Sequence, residues 1–262
     1  MRVDVDGREV YAYTGGQPLD RARATIVFVH GAANDHSVWA LQSRYFAHHG
    51  HNVLAVDLPG HGRSAGEALG SVEALADWVA ALVGAANLDR VSLVGHSMGA
   101  LACLECAGRR ARGVERLALL GPAVPMAVND ALIAAAQRND HVALELINGW
   151  SHSARHQLGG NRQPGLWMPG QAMRLLERTR AGVLHADLVA CQRYAGGLAA
   201  AAKVQCPALL LLGTRDQMAP ARDAAPLAQA LHDARTVSLP GIGHAMMTEA
   251  PDAVLDALRG FL

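Results

Sequence analysis

The segment from Gly95 to Gly99, which reads GHSMG, carries the clearest sign of chemistry in this sequence. It follows a short apolar run, Val91 to Val94, and precedes apolar residues at helical spacing, so the pattern predicts a strand, a sharp turn and a helix. Ser97 stands at the apex of that turn. Glycines two residues to either side let strand and helix pass closely, because they carry no Cβ atom. The turn therefore predicts a nucleophilic serine whose hydroxyl projects above a sheet.

A serine hydroxyl is a weak nucleophile at neutral pH, so Ser97 requires a general base, and the base requires an orienting carboxylate. Of the 13 histidines, His244 follows a predicted strand in PGIGHA, and Asp216 follows another in GTRD. The carboxyl ends of parallel strands share one edge, where ligands bind, so Ser97, Asp216 and His244 are expected to meet there. The loop after residues 114–120 contains no acid that could replace Asp216. The Met98 N–H, at a predicted helix N-terminus, points toward a developing anion.

Other potentially reactive groups are expected to be structural. His30, His61 and His96 belong to turns near the predicted site and are expected to support it or lie at its rim. Cys103 and Cys106 form C-x-x-C, but both fall on the predicted helix after the turn, with no second ligand pair at a suitable spacing. We therefore expect buried small residues there and no metal or redox centre.

The elements that would position these residues alternate between strand and helix patterns. The predicted strands after an N-terminal hairpin (2–5 and 8–13) are residues 25–29, 52–56, 91–94, 114–120, 208–212 and 236–239. Strands and helices that alternate at this spacing predict a mostly parallel, twisted sheet with helices on both faces, which is an α/β fold.

The alternation stops between Met126 and Gln205, where no convincing strand appears. Helical patterns over 130–148, 171–186 and 188–202 occupy this stretch, together with a passage rich in Gly and Pro. We expect a helical cap, residues 126–205, inserted late in the sheet and covering the strand edge. The core domain would then comprise residues 1–125 and 206–262.

Composition narrows the class of protein. The 262 residues, 51% of them hydrophobic, suffice for one large domain. Lys and Arg number 23 and so do Asp and Glu, so no charged surface suggests nucleic acid or a membrane as partner. The N-terminus lacks the apolar core of a signal peptide, and four cysteines are too few to suggest a disulfide framework. The expected location is cytoplasmic, and the oligomeric state stays open.

These motifs resemble the α/β-hydrolase family over nearly the whole chain. The matching pieces are His30-Gly31, the turn DLPGHGRS, the GHSMG segment, GTRD and PGIGH. In that family a backbone N–H just after the His-Gly pair is the second oxyanion donor, so the resemblance implies Ala32 as donor beside Met98. Members that open epoxides or displace halide carry an aspartate at the turn, which Ser97 argues against.

A serine nucleophile implies acyl transfer with no metal or organic cofactor, and the expected activity is hydrolysis of small carboxylic esters. On the same three residues a lactonase, a C–C bond hydrolase of diketone-like substrates, a thioesterase and a cofactor-free perhydrolase remain open. A catalytically idle ligand receptor is a further alternative, which the intact Ser97, Asp216 and His244 set argues against.

Bulky residues near the cap are the candidates for a substrate pocket. Methionine and tryptophan side chains can line an adaptable apolar cavity, although they can equally form the core of the cap. The candidate substrate-binding residues are Trp39, Met126, Trp150, Trp167 and Met168.

Overall fold

The computed structural model describes residues 1–160 and 166–262, which contain an eight-stranded sheet. The strands are β1 Arg2–Val5, β2 Arg8–Tyr13, β3 Thr25–Val29, β4 Asn52–Val56, β5 Val91–His96, β6 Val114–Leu120, β7 Ala208–Gly213 and β8 Ala234–Leu239. Their order is β1-β2-β4-β3-β5-β6-β7-β8; β2 pairs antiparallel with β1 and β4, and every other pair is parallel. The predicted α/β fold with a mostly parallel sheet is confirmed.

Helices cover both faces of this sheet, and further helices form the cap. Together they are α1 Ala40–His48, α2 Val72–Ala85, α3 Met98–Gly108, α4 Asp130–Gln137, α5 His141–Ser151, α6 Ala154–Gln157, α7 Met168–Leu176, α8 Val183–Arg193, α9 Gly197–Ala201, α10 Ala225–Ala230, α11 Met246–Glu249 and α12 Pro251–Arg259. One apolar cluster joins the sheet to α2, α3, α9 and α10, and a second joins it to α1, α11 and α12. Strands β3, β4, β5 and β7 are buried along their whole length, as expected for parallel strands between two helical layers.

The predicted helices of the cap are divided differently in the structure. The helical pattern over 130–148 becomes α4 and α5, because Asn139 adopts a left-handed φ of 52° between them. Asp140 then caps α5 by accepting a hydrogen bond from the Val142 N–H at 3.1 Å. Gly182, with a φ of 82°, likewise ends the connection from α7 and starts α8. A left-handed residue therefore separates α4 from α5, and another directly precedes α8.

The cap has a small core of its own, which α9 does not share. Leu132, Ile147, Leu176 and Leu188 represent the apolar cluster that joins α4, α5, α7 and α8. α9 instead packs against α3 so closely that a Cβ atom on Gly108 would lie 2.6 Å from the Ala200 carbonyl oxygen. The boundary at residue 205 stays a prediction. We propose that the cap comprises α4 to α8 and ends before α9.

Glu249 ties the cap to the loop that carries His244. This carboxylate is buried, and its Oε2 accepts hydrogen bonds from the Gly243 N–H at 3.0 Å and the Ser153 hydroxyl at 2.8 Å. Its Oε1 accepts from the Ser153 N–H at 3.2 Å, and His156 Nδ1 lies 2.7 Å from Oε2. Removing this group would leave several buried donors without an acceptor, which is costly in a protein interior.

We predict that Glu249→Ala lowers the free energy of unfolding by about 3 kcal/mol, because the buried donors lose their shared acceptor. Urea unfolding followed by circular dichroism measures the effect. Glu145→Ala is the matched control, since Glu145 is an exposed carboxylate on α5. Equal stability losses in the two variants would contradict a structural role for Glu249.

Candidate active site

Ser97 occupies a strained turn between β5 and α3. Its φ of 54° and ψ of −120° are conformations that non-glycine residues rarely adopt. A Cβ atom on Gly95 would lie 2.3 Å from the Gly99 carbonyl oxygen, and one on Gly99 would lie 2.4 Å from that of Val29. Both glycines are therefore required sterically, as the sequence predicted. The Ser97 N–H donates to the Leu120 carbonyl at 2.9 Å, which anchors the turn to β6.

His244 and Asp216 form a buried hydrogen-bonded pair. His244 Nδ1 lies 2.7 Å from Asp216 Oδ2, and the other carboxylate oxygen accepts from the N–H groups of Met218 at 2.9 Å and Ala219 at 2.8 Å. Burial alone would raise the pKa of Asp216, but His244 and the hydrogen bonds from its ring and from Ala219 outweigh burial and hold this pKa below its usual value. An ionised Asp216 keeps the proton on His244 Nδ1, so Nε2 is the nitrogen that can act as a base.

The backbone around His244 is fixed by its neighbours. His96 Nε2 donates to the His244 carbonyl at 3.0 Å, and the Ala245 N–H donates to the Ser151 carbonyl at 2.8 Å. Burial and the nearby His244 lower the pKa of His96 to about 3, so its ring is neutral at physiological pH. Gly121, with a φ of 57°, passes beside the pair; a Cβ atom there would lie 3.2 Å from His244 Nδ1. The glycine after β6 therefore leaves room for the imidazole.

The loop after β3 passes next to Ser97. His30 Nε2 accepts a hydrogen bond from the Leu58 N–H at 3.1 Å, so its other ring nitrogen carries the proton and donates to the Gly31 carbonyl at 2.8 Å. Burial, with a contribution from a nearby histidine, lowers the pKa of His30 to about 4, so it is a neutral structural residue. A Cβ atom on Gly31 would lie only 3.1 Å from Ser97 Cβ. This close approach brings Ala32 to the rim of the serine's cavity.

Met98 is the first residue of α3, so its N–H lies at a helix N-terminus directly after Ser97. Unsatisfied N–H groups and the helix dipole favour negative charge at such a position. The Met98 side chain is fully buried in the main core, so it does not line the cavity. Met98 thus follows Ser97 directly and Ala32 lines the cavity onto which Ser97 opens, and their role as two backbone donors stays a prediction.

Ser97 and His244 open onto one cavity of about 400 Å³ between the strand edge and the cap. Its walls are largely apolar, and Arg174 and Arg178 are the charged cap residues among its lining. The apolar residues of the lining come from the cap and from segments near the strand edge, and include Val38, Ile147, Met168, Leu175, Leu176, Met218 and Met247. A second cavity of about 320 Å³ shares Ala32 and Ser97 with the first. The serine therefore lies where two cavities meet.

The predicted substrate-binding residues lie in different parts of the structure. Met168 lines the larger cavity, and Met126 and Trp150 line the smaller one. Trp39 is wrong as a pocket residue: it is fully buried in the core, with its ring 5.0 Å from that of Phe28. Trp167 is also wrong, because it is 71% exposed and lines neither cavity.

Sequence reasoning missed several residues around the cavity. Asn148 and His152 lie one helical turn apart at the end of α5, and Met218 follows the GTRD segment by two residues. The i, i+4 spacing with Ile147 beside it could have indicated an inward face of the cap helix. Nothing in the local sequence around Met218 indicates contact with the cavity at Ser97.

The remaining reactive groups have structural roles. Cys103 and Cys106 are buried on α3, as expected, and burial raises the pKa of Cys106 to about 12. Within residues 1–160 and 166–262, ligand atoms of Asp35, His36 and Asp57 lie within 4.8 Å of one another. These atoms already take part in hydrogen bonds: Asp57 Oδ1 accepts from the His36 N–H at 2.7 Å, and Asp35 caps the turn that follows. Their arrangement organises the turn beside the site.

No helix within the described ranges combines the length and hydropathy needed for a membrane span. The sequence profile of the Alpha/beta hydrolase family matches residues 26–257.

Relatives match the chain over nearly its full length. An (E)-2-((N-methylformamido)methylene)succinate hydrolase of Acinetobacter baylyi is 28% identical over 253 residues, covering 94% of this chain and 90% of that protein. A non-heme chloroperoxidase of Streptomyces lividans is also 28% identical and covers 98% and 97% of the two chains. Among solved structures, an enol-lactonase from Burkholderia xenovorans LB400 superposes with a TM-score of 0.88 at 24% identity, covering 100% of this chain and 99% of that one.

The family profile spans most of the sequence, and the sheet order and helical layers agree with it. The chain belongs to the alpha/beta hydrolase family and is a hydrolase.

Proposed function

We propose that this hydrolase cleaves carboxylic esters through an acyl-enzyme, with Ser97 as nucleophile, His244 as general base and Asp216 as the orienting acid. One observation carries the proposal: His244, whose Nδ1 lies 2.7 Å from Asp216 Oδ2, borders the same cavity as a serine held on a strained turn. A residue in such a conformation persists only where the surrounding structure enforces it, which is common at active sites.

The proposed reaction has two halves. His244 Nε2 takes the Ser97 proton as Oγ attacks the ester carbonyl, and the resulting oxyanion is stabilised by the N–H groups of Ala32 and Met98. His244 then gives its proton to the leaving alcohol, which departs and leaves an acyl-enzyme. Water, deprotonated by His244, then attacks the acyl carbonyl. The bond to Ser97 Oγ breaks, His244 returns the proton to that oxygen, and the acid is released. Asp216 stabilises the imidazolium that forms in both halves.

The cavity supports a substrate of modest size. A volume of about 400 Å³ lies within the range typical of small-molecule sites, and apolar walls suit the hydrocarbon part of an acyl group. Lactones, which are cyclic esters, are the second candidate, because the chain superposes closely on a protein described as an enol-lactonase. The same attack on a lactone would open the ring without releasing a separate alcohol.

A small ester-like molecule is thus the proposed partner, and a cytoplasmic location is part of the proposal. The four free cysteines, of which Cys103, Cys106 and Cys191 are buried, fit a reducing compartment. The balanced charge of the chain offers no electrostatic attraction to nucleic acid.

We predict that Ser97→Ala lowers kcat for ester hydrolysis by roughly 10⁴-fold or more, because the nucleophile is removed. Release of p-nitrophenol from esters ranging from acetate to dodecanoate, and ring opening of lactones followed by pH-stat, measure the effect. Ser238→Ala, on an exposed position of β8, is the matched control and should behave as wild type. Activity of the Ser97 variant within tenfold of wild type would rule out this nucleophile.

We predict that Asp216→Asn lowers kcat by roughly 10³- to 10⁴-fold, because the amide cannot stabilise the imidazolium or enforce the correct tautomer. The variant should also unfold more easily at neutral pH. Because the folded-state pKa of Asp216 is depressed, its stabilising contribution is present above the unfolded pKa and is lost as pH falls through the folded pKa. The stability difference from wild type, measured by urea unfolding, should therefore shrink in acid.

The control for this prediction is Asp233→Asn, an exposed carboxyl ahead of β8. A near-normal kcat in Asp216→Asn would show that another residue orients the base.

A further inference from the structure

The loop that carries Ala32 is held from the cap side by Asp187. This residue lies on α8 and is 1% exposed. Its Oδ2 accepts hydrogen bonds from the Ala33 N–H and from His61 Nε2, each at 2.8 Å. A buried carboxylate of the cap therefore contacts the residue that directly follows the proposed oxyanion donor.

Ala33 has a backbone that needs such support. Its φ is 55°, and a left-handed conformation costs a non-glycine residue about 1–2 kcal/mol. Thr179, which follows α7, donates its hydroxyl to the Ala33 carbonyl at 2.8 Å. Both polar backbone groups of Ala33 are thus bound by side chains of the cap.

The conformation of Ala33 bears directly on Ala32. The two residues share one peptide group, so a change in φ of Ala33 rotates that group and displaces Ala32 relative to Ser97. Because Asp187 binds the Ala33 N–H, the neighbouring Ala32 N–H is the one that the loop can direct at an oxyanion. Oxyanion stabilisation depends on donors held in advance at the correct position, so a small displacement is costly.

His61 offsets the negative charge of Asp187 near the proposed oxyanion hole. An isolated carboxylate near the oxyanion would oppose the negative charge that develops there. His61 Nδ1 lies 2.9 Å from the Pro59 carbonyl while Nε2 faces Asp187, so both ring nitrogens have acceptors, as in an imidazolium. Burial would lower the pKa of His61, but Asp187 outweighs burial and raises this pKa. The pair therefore holds the loop without net charge.

We propose that Asp187 is a positioning residue for the oxyanion hole: seating of α8 against the loop, through the Asp187 contacts with Ala33 and His61, sets the position of the Ala32 N–H. Thr179 assists by binding the Ala33 carbonyl. The inference rests on the proposed acyl-transfer function, since it assigns these two cap residues to the stabilisation of a tetrahedral intermediate.

The test uses the full chain and compares Asp187→Leu, which removes the acceptor, with Asp187→Asn, which keeps one oxygen for the Ala33 N–H. Asp187→Leu is expected to lower kcat by about 10²-fold with KM changed by less than about threefold, since the oxyanion is bound only in the transition state. Asp187→Asn is expected to recover most of that loss.

Inhibition by phenylboronic acid separates positioning from general destabilisation. This acid forms a tetrahedral adduct on a nucleophilic serine. Its apparent inhibition constant rises by less than about twofold as long as more than half of the protein is folded, so partial unfolding cannot produce a large change. The constant should rise about 10²-fold in Asp187→Leu. Arg193→Ala, on an exposed position of α8, is the matched control and should leave it unchanged.

Thr179→Val keeps the test decisive if Asp187→Leu fails to fold. It removes one hydroxyl from a partly buried position, and the inhibition constant should rise by about tenfold, which corresponds to one lost hydrogen bond. Inhibition constants within about threefold of wild type in the folded variants would overturn the inference while leaving the ester-hydrolase proposal intact. A wild-type protein that hydrolyses no ester or lactone would overturn both.

Discussion

The constraint on which the site depends is the close passage of β5, α3 and β3 around Ser97. Ser97 has a left-handed φ because the strand must turn into the helix within one residue. The backbone passes so closely there that the positions of Gly95 and Gly99 have no space for a side chain. The turn is energetically unfavourable by itself, so the packed core on both sides of β5 must stabilise it. That packing places one hydroxyl at a helix N-terminus and at the carboxyl edge of the sheet.

The cap contributes more than a cover for the cavity. Glu249 joins the cap residue Ser153 to the backbone beside His244, and Asp187 joins α8 to the backbone beside Ala32. Two buried carboxylates therefore connect one helical layer to the loop of the proposed base and to the loop of the proposed oxyanion donor. The loops around the serine are therefore held by contacts from both the sheet and the cap.

Much of the sheet could be predicted from sequence because its inner strands are short apolar runs with turn residues after them. The strands at residues 25–29, 52–56 and 114–120 were predicted with the bounds that the structure has. The cap was harder, because the break between α4 and α5 depends on a left-handed Asn139 that looks like any polar helix residue. Residues of the candidate site that follow strands were also accessible to prediction, since topology brings strand ends together.

The pocket residues could not be predicted equally well. Trp39 and Trp167 are both large and apolar, yet one is fully buried behind the site and the other is on the surface. Whether a bulky residue lines a cavity depends on how helices pack, which local sequence does not encode. The same limit applies to Asp187, whose partners Ala33 and His61 are distant along the chain.

The most direct test of the central claim is covalent labelling by diethyl p-nitrophenyl phosphate, read by intact mass and peptide mapping. An activated serine attacks the phosphorus and expels p-nitrophenol, whereas an ordinary serine does not react. The account predicts one diethylphosphoryl group per folded chain, on the peptide that contains Ser97, and none on heat-unfolded protein. A folded protein that stays unlabelled, or that carries the label on another residue, would contradict the claim that Ser97 is the nucleophile.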